Sequence, residues 1–95
     1  IHIVINNRAH ETVGGMPTAL SGTDLPAVAA ACGYEVSLRA NNFSELDETL
    51  RAAKHSEKLT FIEVPAAIGS RADLGRPTTT ALQNKLNFVE NLRSR

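Results

Sequence analysis

The chain has 95 residues, 42% of them apolar, which suffices for one hydrophobic core and predicts a single domain over residues 1–95. Ten basic residues balance ten acidic ones and tryptophan is absent, so the composition argues against nucleic acid or a membrane surface as partner. The single Cys32 cannot form an internal disulfide, and no apolar run approaches the roughly 20 residues of a membrane span, so we expect a cytoplasmic protein.

The first predicted strand leads directly into a long polar loop. Residues 1–5 read IHIVI, a β-branched run that predicts a buried strand. Asn6 and Asn7 end it, and residues 8–23 contain too many glycines and prolines for a regular element. A loop of that length in a compact domain is usually functional or disordered.

A helix and a strand follow this loop. Asp24 is a good N-cap, Pro26 is tolerated in the first turn, and Gly33 is placed to end the helix. Residues 34–39, YEVSLR, predict a short second strand.

The remaining chain continues the alternation of helices and strands. Ser44 is expected to cap a second helix, with Asp47 three residues later in an Asp variant of the capping box. Residues 59–64, LTFIEV, predict the third strand. A second breaker-rich loop then leads to a final helix, which we expect residues 78–80, three threonines, to cap.

This order predicts an α/β fold, a three-layer arrangement with a parallel sheet and flanking helices in a partial, Rossmann-like domain. Three strands are few for such a sheet, and the first, the third or both would need neighbours to cover their edges. The chain also starts without a methionine, already at strand periodicity. We therefore expect functional segments upstream, although a shortened chain that folds by itself would look the same.

Residues 6–23 and 65–80, called here the first and second loops, each follow a strand. They should emerge at the carboxyl edge of the sheet, where α/β folds bind ligands. The amide oxygens of Asn6 and Asn7 suit magnesium, but without a carboxylate they would bind it weakly. From the residues alone, two asparagines that turn the chain by bonding their own backbone are the favoured interpretation.

The rest of the first loop offers proton chemistry and a flexible backbone. His10 could act as acid or base near neutral pH with Glu11 positioning it, or the two could form a solvated pair. Gly14 and Gly15 would let the backbone approach a ligand or take positive φ.

The second loop carries two arginines. The guanidinium groups of Arg71 and Arg76 suit phosphate, phosphonate and carboxylate groups. Pairing with carboxylates of a neighbouring subunit is the alternative, and the residues alone do not separate the two.

Several motifs together resemble a known family. An apolar strand that ends in Asn-Asn is similar to the second half of the thiamine-diphosphate motif. NNRAHETVGGMPT at 6–18, ACGY at 31–34 and GSRADLGRPTTT at 69–80 with its following NK pair resemble the phosphonopyruvate decarboxylase family. The resemblance covers nearly the whole chain, and Arg8 departs from it where a smaller residue is expected.

The resemblance implies thiamine diphosphate and Mg²⁺ as cofactors. The side chain of Asn7 and the backbone carbonyl of Ala9 match the positions that bind the metal. The residues that it implies near the cofactor are Asn6, Asn7, Ala9, Gly14 and Gly15.

The same resemblance implies a reaction. A 2-keto acid substrate, 3-phosphonopyruvate, would be converted to phosphonoacetaldehyde and CO₂ in phosphonate biosynthesis. His10 and Glu11 would be the catalytic residues for proton transfer or substrate orientation, and Arg71 and Arg76 would bind the phosphonate.

One departure from the family is large. The Gly-Asp-Gly turn that supplies the metal's aspartate is absent, as is a domain that could supply the glutamate for the aminopyrimidine. We expect the C-terminal part of the diphosphate-binding domain of a larger homo-oligomeric enzyme, with the isolated chain inactive. The alternatives are a sulfopyruvate decarboxylase subunit and a non-catalytic α/β interaction module.

Overall fold

The computed structural model describes residues 1–94. Short 3-10 turns lie at Glu11–Val13 and Ala19–Gly22. The strands and helices, in chain order, are β1 (His2–Asn6), β2 (Ala9–His10), β3 (Met16–Pro17), α1 (Leu25–Ala31), β4 (Val36–Arg39), α2 (Phe43–Lys54), β5 (Thr60–Pro65) and α3 (Ala81–Arg93).

The main sheet is parallel, in the order β1-β5-β4, so the predicted α/β fold with a parallel sheet is confirmed. The crossover from β1 to β4 passes over the position of β5, and the crossover from β4 to β5 runs back the other way. Right-handed crossovers in opposite directions place α1 and α2 on opposite faces of the sheet. The third predicted strand, β5, has neighbours on both sides, and the edges of this sheet are β1 and β4.

The core is centred on β5. Ile62 is fully buried, in register between Ile3 of β1 and Leu38 of β4. On the opposite face, Phe61 is buried and makes edge-to-face contacts with the rings of His2 and Tyr34, at centroid distances of 5.4 and 5.6 Å. The middle strand therefore contributes to apolar packing on both faces, as expected for a parallel sheet.

The β1 side of the sheet is much less covered. Ile1, Ile3 and Ile5 are exposed, Ile5 by 74%, so the prediction that β1 is a buried strand is wrong for this half of the sheet. The reason is geometric, because α1 packs on β4 and β5 and α2 packs on β5, while β1 is paired with β5 at the side of the sheet that the helices cover least. The final helix, α3, also has no buried residue.

The N-cap of α2 differs from the prediction. Asn42, not Ser44, is the cap, and its Oδ1 accepts a hydrogen bond from the backbone N–H of Glu45 at 3.0 Å. The Glu45 carboxylate accepts in return from the amide of Asn42 at 2.7 Å and from the backbone N–H of Asn41 at 2.8 Å. The bond from Asn41 is the main cause of a lowered pKa for Glu45. This reciprocal pair satisfies donors that Ser44, already inside the helix, cannot reach.

Two other predicted caps have different outcomes. Thr80 caps α3 by accepting from the backbone N–H of Gln83 at 3.2 Å, as expected for one of the three threonines. Asp24 lies at the N-cap of α1 but makes no side-chain capping bond, because its carboxylate faces Arg39 instead. Within residues 1–94, no helix is long and apolar enough to cross a bilayer.

We predict that Asn42→Ala lowers the free energy of unfolding by about 1 kcal/mol, the usual effect of removing an N-cap side chain. Ser44→Ala is the matched control and should change stability little, because Ser44 does not cap the helix. Urea unfolding followed by circular dichroism measures both. A larger effect at Ser44 than at Asn42 would contradict the observed helix start.

Candidate functional site

The most buried charge of the described chain lies near the carboxyl edge of the main sheet. Glu63 of β5 is only 1% exposed and lies in register between Val4 of β1 and Arg39 of β4. Asn6 lies two residues beyond Val4 and therefore points to the same face. The parallel register thus brings three polar side chains from three strands together.

Both oxygens of the Glu63 carboxylate are occupied. Oε1 accepts from Asn6 Nδ2 at 2.8 Å, and Oε2 accepts from Arg39 Nε at 2.8 Å. Arg39 extends outward, where its Nη2 lies 3.4 Å from Oδ1 of Asp24. We call these four residues, Asn6, Asp24, Arg39 and Glu63, the edge network. A buried carboxylate needs such partners, because an unpaired one would lose its hydration without compensation.

The network keeps Glu63 ionised. Burial raises the pKa of this carboxyl, but the hydrogen bonds from Asn6 and Arg39 and the positive charges of Arg39 and Arg8 outweigh it. The net result is a pKa below the ordinary value of 4.5. The same hydrogen bond and charge raise the pKa of the Arg39 guanidinium. Glu63 is therefore a fixed negative charge near neutral pH, not a proton donor.

Two successive asparagine turns connect the edge network to the first loop. The backbone N–H of Arg8 donates to Asn6 Oδ1 at 3.0 Å, and that of Ala9 donates to Asn7 Oδ1 at 3.1 Å. This is the turn that the residues alone favoured. It holds Arg8 at φ +56°, in the left-handed region that residues other than glycine rarely adopt.

The first loop is more regular than predicted. Strands β2 and β3 form a short antiparallel ladder, so the expectation of no regular element in 8–23 is wrong at Ala9–His10 and Met16–Pro17. Gly14 and Gly15 take φ of +89° and +72°, and the N–H of Gly15 donates to the His10 carbonyl at 3.0 Å. The two glycines thus close a hairpin. The number of glycines and prolines in the loop does not predict this hairpin, because it depends on where the glycines lie between the two short strands.

The hairpin places His10 and Glu11 close to the asparagine turn. His10 is exposed in β2, and Glu11 begins the 3-10 turn that follows it. Oε2 of Glu11 accepts from Asn7 Nδ2 at 3.2 Å. The structure therefore connects one predicted catalytic residue directly to the predicted metal ligand.

The oxygen atoms of the turn fit part of a magnesium site. Asn7 Oδ1 accepts one hydrogen bond and keeps a second lone pair. The ladder bond next to Ala9 falls on the Arg8 carbonyl, which accepts from the N–H of Thr18, and the alternation of an antiparallel ladder directs the Ala9 carbonyl away from β3. Over residues 1–94 there is no group of three or more His, Cys, Asp or Glu side chains that could hold a metal. The turn offers hard oxygen ligands, while the usual carboxylate ligand of Mg²⁺ is not among its atoms.

The second loop starts next to the first. The N–H of Ala66 donates to the backbone carbonyl of Asn6 at 3.0 Å, which continues the pairing of β1 with β5. Farther along, Arg71 Nε lies 3.3 Å from Oδ1 of Asp73, and both side chains are exposed. Arg76 is exposed as well. No hydrogen bond or ion pair in the described chain joins either arginine to the asparagine turn.

Reasoning from the sequence missed Glu63, Arg39 and the role of Asp24 in pairing. A usable signal was present for Glu63, because a glutamate interrupts the apolar run FIEV of the third predicted strand. Such a residue needs a charged partner from a neighbouring element. Which arginine provides it depends on the strand order, and the sequence alone leaves that order open.

The lowered pKa of Glu63 predicts a specific acid response. The unfolded chain binds the proton more readily than the folded one, so the contribution of Glu63 to stability is complete above about pH 4.5 and is lost as the pH falls through the folded value. Glu63→Gln should therefore lower stability at neutral pH and flatten this acid loss. Glu48→Gln, at an exposed carboxylate of α2, should keep the loss. Urea unfolding from pH 7 to pH 3 measures both, and an unchanged slope in Glu63→Gln would contradict the assignment.

Comparison with known proteins gives two curated relatives named phosphonopyruvate decarboxylase. The chain is 40% identical to the one from Streptomyces hygroscopicus over 77 residues, which are 81% of this chain and 19% of the relative. It is 38% identical to the one from Streptomyces viridochromogenes over 88 residues, which are 93% of this chain and 22% of the relative. The resemblance to phosphonopyruvate decarboxylase is confirmed, and the chain spans about a fifth of the length of these relatives. No family model and no solved structure matches the chain.

Proposed function

We propose that the chain is part of a thiamine-diphosphate-dependent decarboxylase that converts 3-phosphonopyruvate to phosphonoacetaldehyde and CO₂. The observation that carries this proposal is the 38–40% identity to two proteins named phosphonopyruvate decarboxylase over most of the chain. The fold supports it, because the asparagine turn follows a parallel strand at the edge where α/β sheets bind ligands.

In this proposal, the asparagine turn holds the metal and cofactor. Asn7 Oδ1 and the Ala9 carbonyl would hold Mg²⁺, and Asn6, Gly14 and Gly15 would contribute to binding the diphosphate. Bound thiamine diphosphate supplies the electron sink for the pair left when CO₂ departs. The carboxylate that completes the metal site comes from another part of the full-length protein, since magnesium usually takes one or two carboxylates.

The reaction replaces a carboxylate by a proton on the former keto carbon, and the chain's own residues serve that exchange. His10 can transfer or hold a proton near neutral pH. Glu11 orients the loop through its hydrogen bond from Asn7 at 3.2 Å, which ties the proton-transfer residues to the metal ligand. Arg71 and Arg76 bind the phosphonate, for which planar guanidinium groups are well suited.

The full-length protein is proposed to be a cytoplasmic homo-oligomer, as the resemblance implies. The isoleucines of β1 and the leucines of α3 are exposed in this chain, and exposed apolar surface of this kind supports contact with other parts of a larger assembly. We also propose that residues 1–95 form the C-terminal part of the diphosphate-binding domain of this enzyme.

The test is an assay of the full-length protein on two keto acids, 3-phosphonopyruvate and sulfopyruvate. We expect phosphonoacetaldehyde and CO₂ from the former, with activity lost when thiamine diphosphate or Mg²⁺ is omitted. A preference for sulfopyruvate would replace the substrate assignment, and inactivity on both would favour a non-catalytic module. The isolated 95-residue chain should be inactive, and robust turnover by it would contradict the proposal that the site is completed elsewhere.

A second experiment assigns the hairpin. His10→Ala and Glu11→Gln in the full-length protein should lower kcat, by about 100-fold or more at whichever residue transfers the proton in a rate-limiting step. His55→Ala, an exposed histidine at the end of α2, is the control and should leave kcat unchanged. Unchanged turnover in both hairpin variants would remove His10 and Glu11 from the mechanism.

A further inference from the structure

Both ends of the first loop are attached to the same ion pair. The loop begins at Asn6, whose amide donates to Glu63. Asp24 directly follows the loop at the N-cap position of α1, and its carboxylate faces Arg39. Because Glu63 and Arg39 are themselves hydrogen-bonded at 2.8 Å, the edge network connects the two ends of the loop across β5 and β4.

The Glu63 carboxylate also selects one orientation of the Asn6 side chain. Asn6 is buried, with its Nδ2 toward Glu63 Oε1 and its Oδ1 toward the N–H of Arg8. A flipped amide would place its oxygen against a carboxylate and its NH₂ against a backbone donor. Both contacts would be repulsive, so the charge of Glu63 determines which atom of Asn6 faces Arg8.

That orientation shapes the turn that carries the proposed metal ligands. The bond to Arg8 holds this residue at φ +56°, and the next bond, from Ala9 to Asn7, completes the turn. At this φ Arg8 has a conformation that is unfavourable for a residue other than glycine. Without the Asn6 bond, the left-handed turn would lose one of the contacts that maintain it.

We infer that Glu63 is a positioning residue for the metal and diphosphate site, and that it acts through Asn6 on the turn formed by Asn7 and Ala9. This inference rests on the proposed function. Glu63 is 1% exposed, so its carboxylate is out of reach of a ligand, and it acts on the site only through its hydrogen-bond partners Asn6 and Arg39. Its role is to fix the turn before the ligand arrives.

The variant Glu63→Gln separates this role from simple stabilisation of the sheet. A glutamine has one acceptor oxygen, which can serve Arg39 or Asn6 but not both, and its NH₂ then faces the other donor. The double variant Asn6→Asp with Glu63→Gln exchanges the amide and the carboxylate, so the hydrogen bond between positions 6 and 63 forms in the opposite direction. The new carboxylate at position 6 accepts from Arg8 and from the glutamine NH₂, while the glutamine oxygen accepts from Arg39.

The experiment uses the full-length protein and two measurements. Calorimetry gives the Kd of thiamine diphosphate at saturating Mg²⁺, and hydrogen exchange without ligand gives the protection of the Arg8 and Ala9 amides. Glu63→Gln should weaken binding 10- to 100-fold, the range found when an outer partner of a metal ligand is removed, and should speed exchange at Arg8 and Ala9. The double variant should recover most of the protection of the Arg8 and Ala9 amides, and protection alone is its readout, because the new carboxylate at position 6 would itself repel the diphosphate. Glu35→Gln, at a carboxylate that accepts from Leu59 at the opposite edge of the sheet, should match the unmodified protein in both.

Unchanged affinity and exchange in Glu63→Gln would overturn the inference. Equal losses of amide protection in Glu63→Gln and the double variant, following their melting temperatures, would overturn it too, because they would indicate a general stabilising role. If Glu63→Gln does not fold, Asn6→Ala provides the second variant. It keeps the Glu63–Arg39 pair and should speed exchange at Arg8 and Ala9, and unchanged exchange would overturn the inference. If the unmodified protein binds no thiamine diphosphate, the proposed function fails, and the exchange rates alone decide whether Glu63 holds the turn.

Discussion

The buried carboxylate of Glu63 is the constraint on which the rest of the carboxyl edge depends. An apolar side chain in the middle of β5 would be buried equally well, and buried ion pairs are often no more stabilising than well-packed apolar residues. Unlike an apolar side chain, the carboxylate forms directional hydrogen bonds. It accepts one hydrogen bond from each neighbouring strand, so β1 and β4 present Asn6 and Arg39 in a defined orientation toward the same centre.

The sheet around this centre is unevenly covered. Helices α1 and α2 pack against β4 and β5, whereas the isoleucines of β1 and the leucines of α3 remain exposed. Parallel sheets are normally covered on both faces. The β1 half therefore departs from the usual pattern of a parallel sheet, in a chain that spans about a fifth of the length of its relatives.

Local sequence signals predicted the elements well and their connections poorly. The alternation of strands and helices, the positive φ of Gly14 and Gly15 and the Thr80 cap follow from residues close in sequence, so they could be recognised, whereas the hairpin around the glycines could not. The Asn42 cap was missed because two overlapping cap signals, Asn42 with Glu45 and Ser44 with Asp47, compete within one turn. Only hydrogen-bond geometry decides between them.

The candidate site was predictable only in part for a related reason. Asn6 and Asn7 stand out because of their position after a strand and their similarity to a motif. Glu63 and Arg39 lie in strands whose order cannot be read from spacing, and their partners are distant in sequence. Asp24 is a residue type typical of N-caps, and its position before α1 predicts a capping bond. The nearby guanidinium of Arg39 binds its carboxylate instead.

The long sequence separations in the edge network have a consequence for folding. Asn6 and Glu63 are 57 residues apart, and Arg39 and Glu63 are 24 apart, so the edge network cannot form until β5 has been inserted between β1 and β4. Of the three strands of this sheet, the one synthesised after the other two becomes the middle strand and supplies the carboxylate that faces the loop after β1. Any ligand that binds this loop only in its held form must then also stabilise the assembled sheet, so ligand affinity and the free energy of folding are thermodynamically linked through one carboxylate.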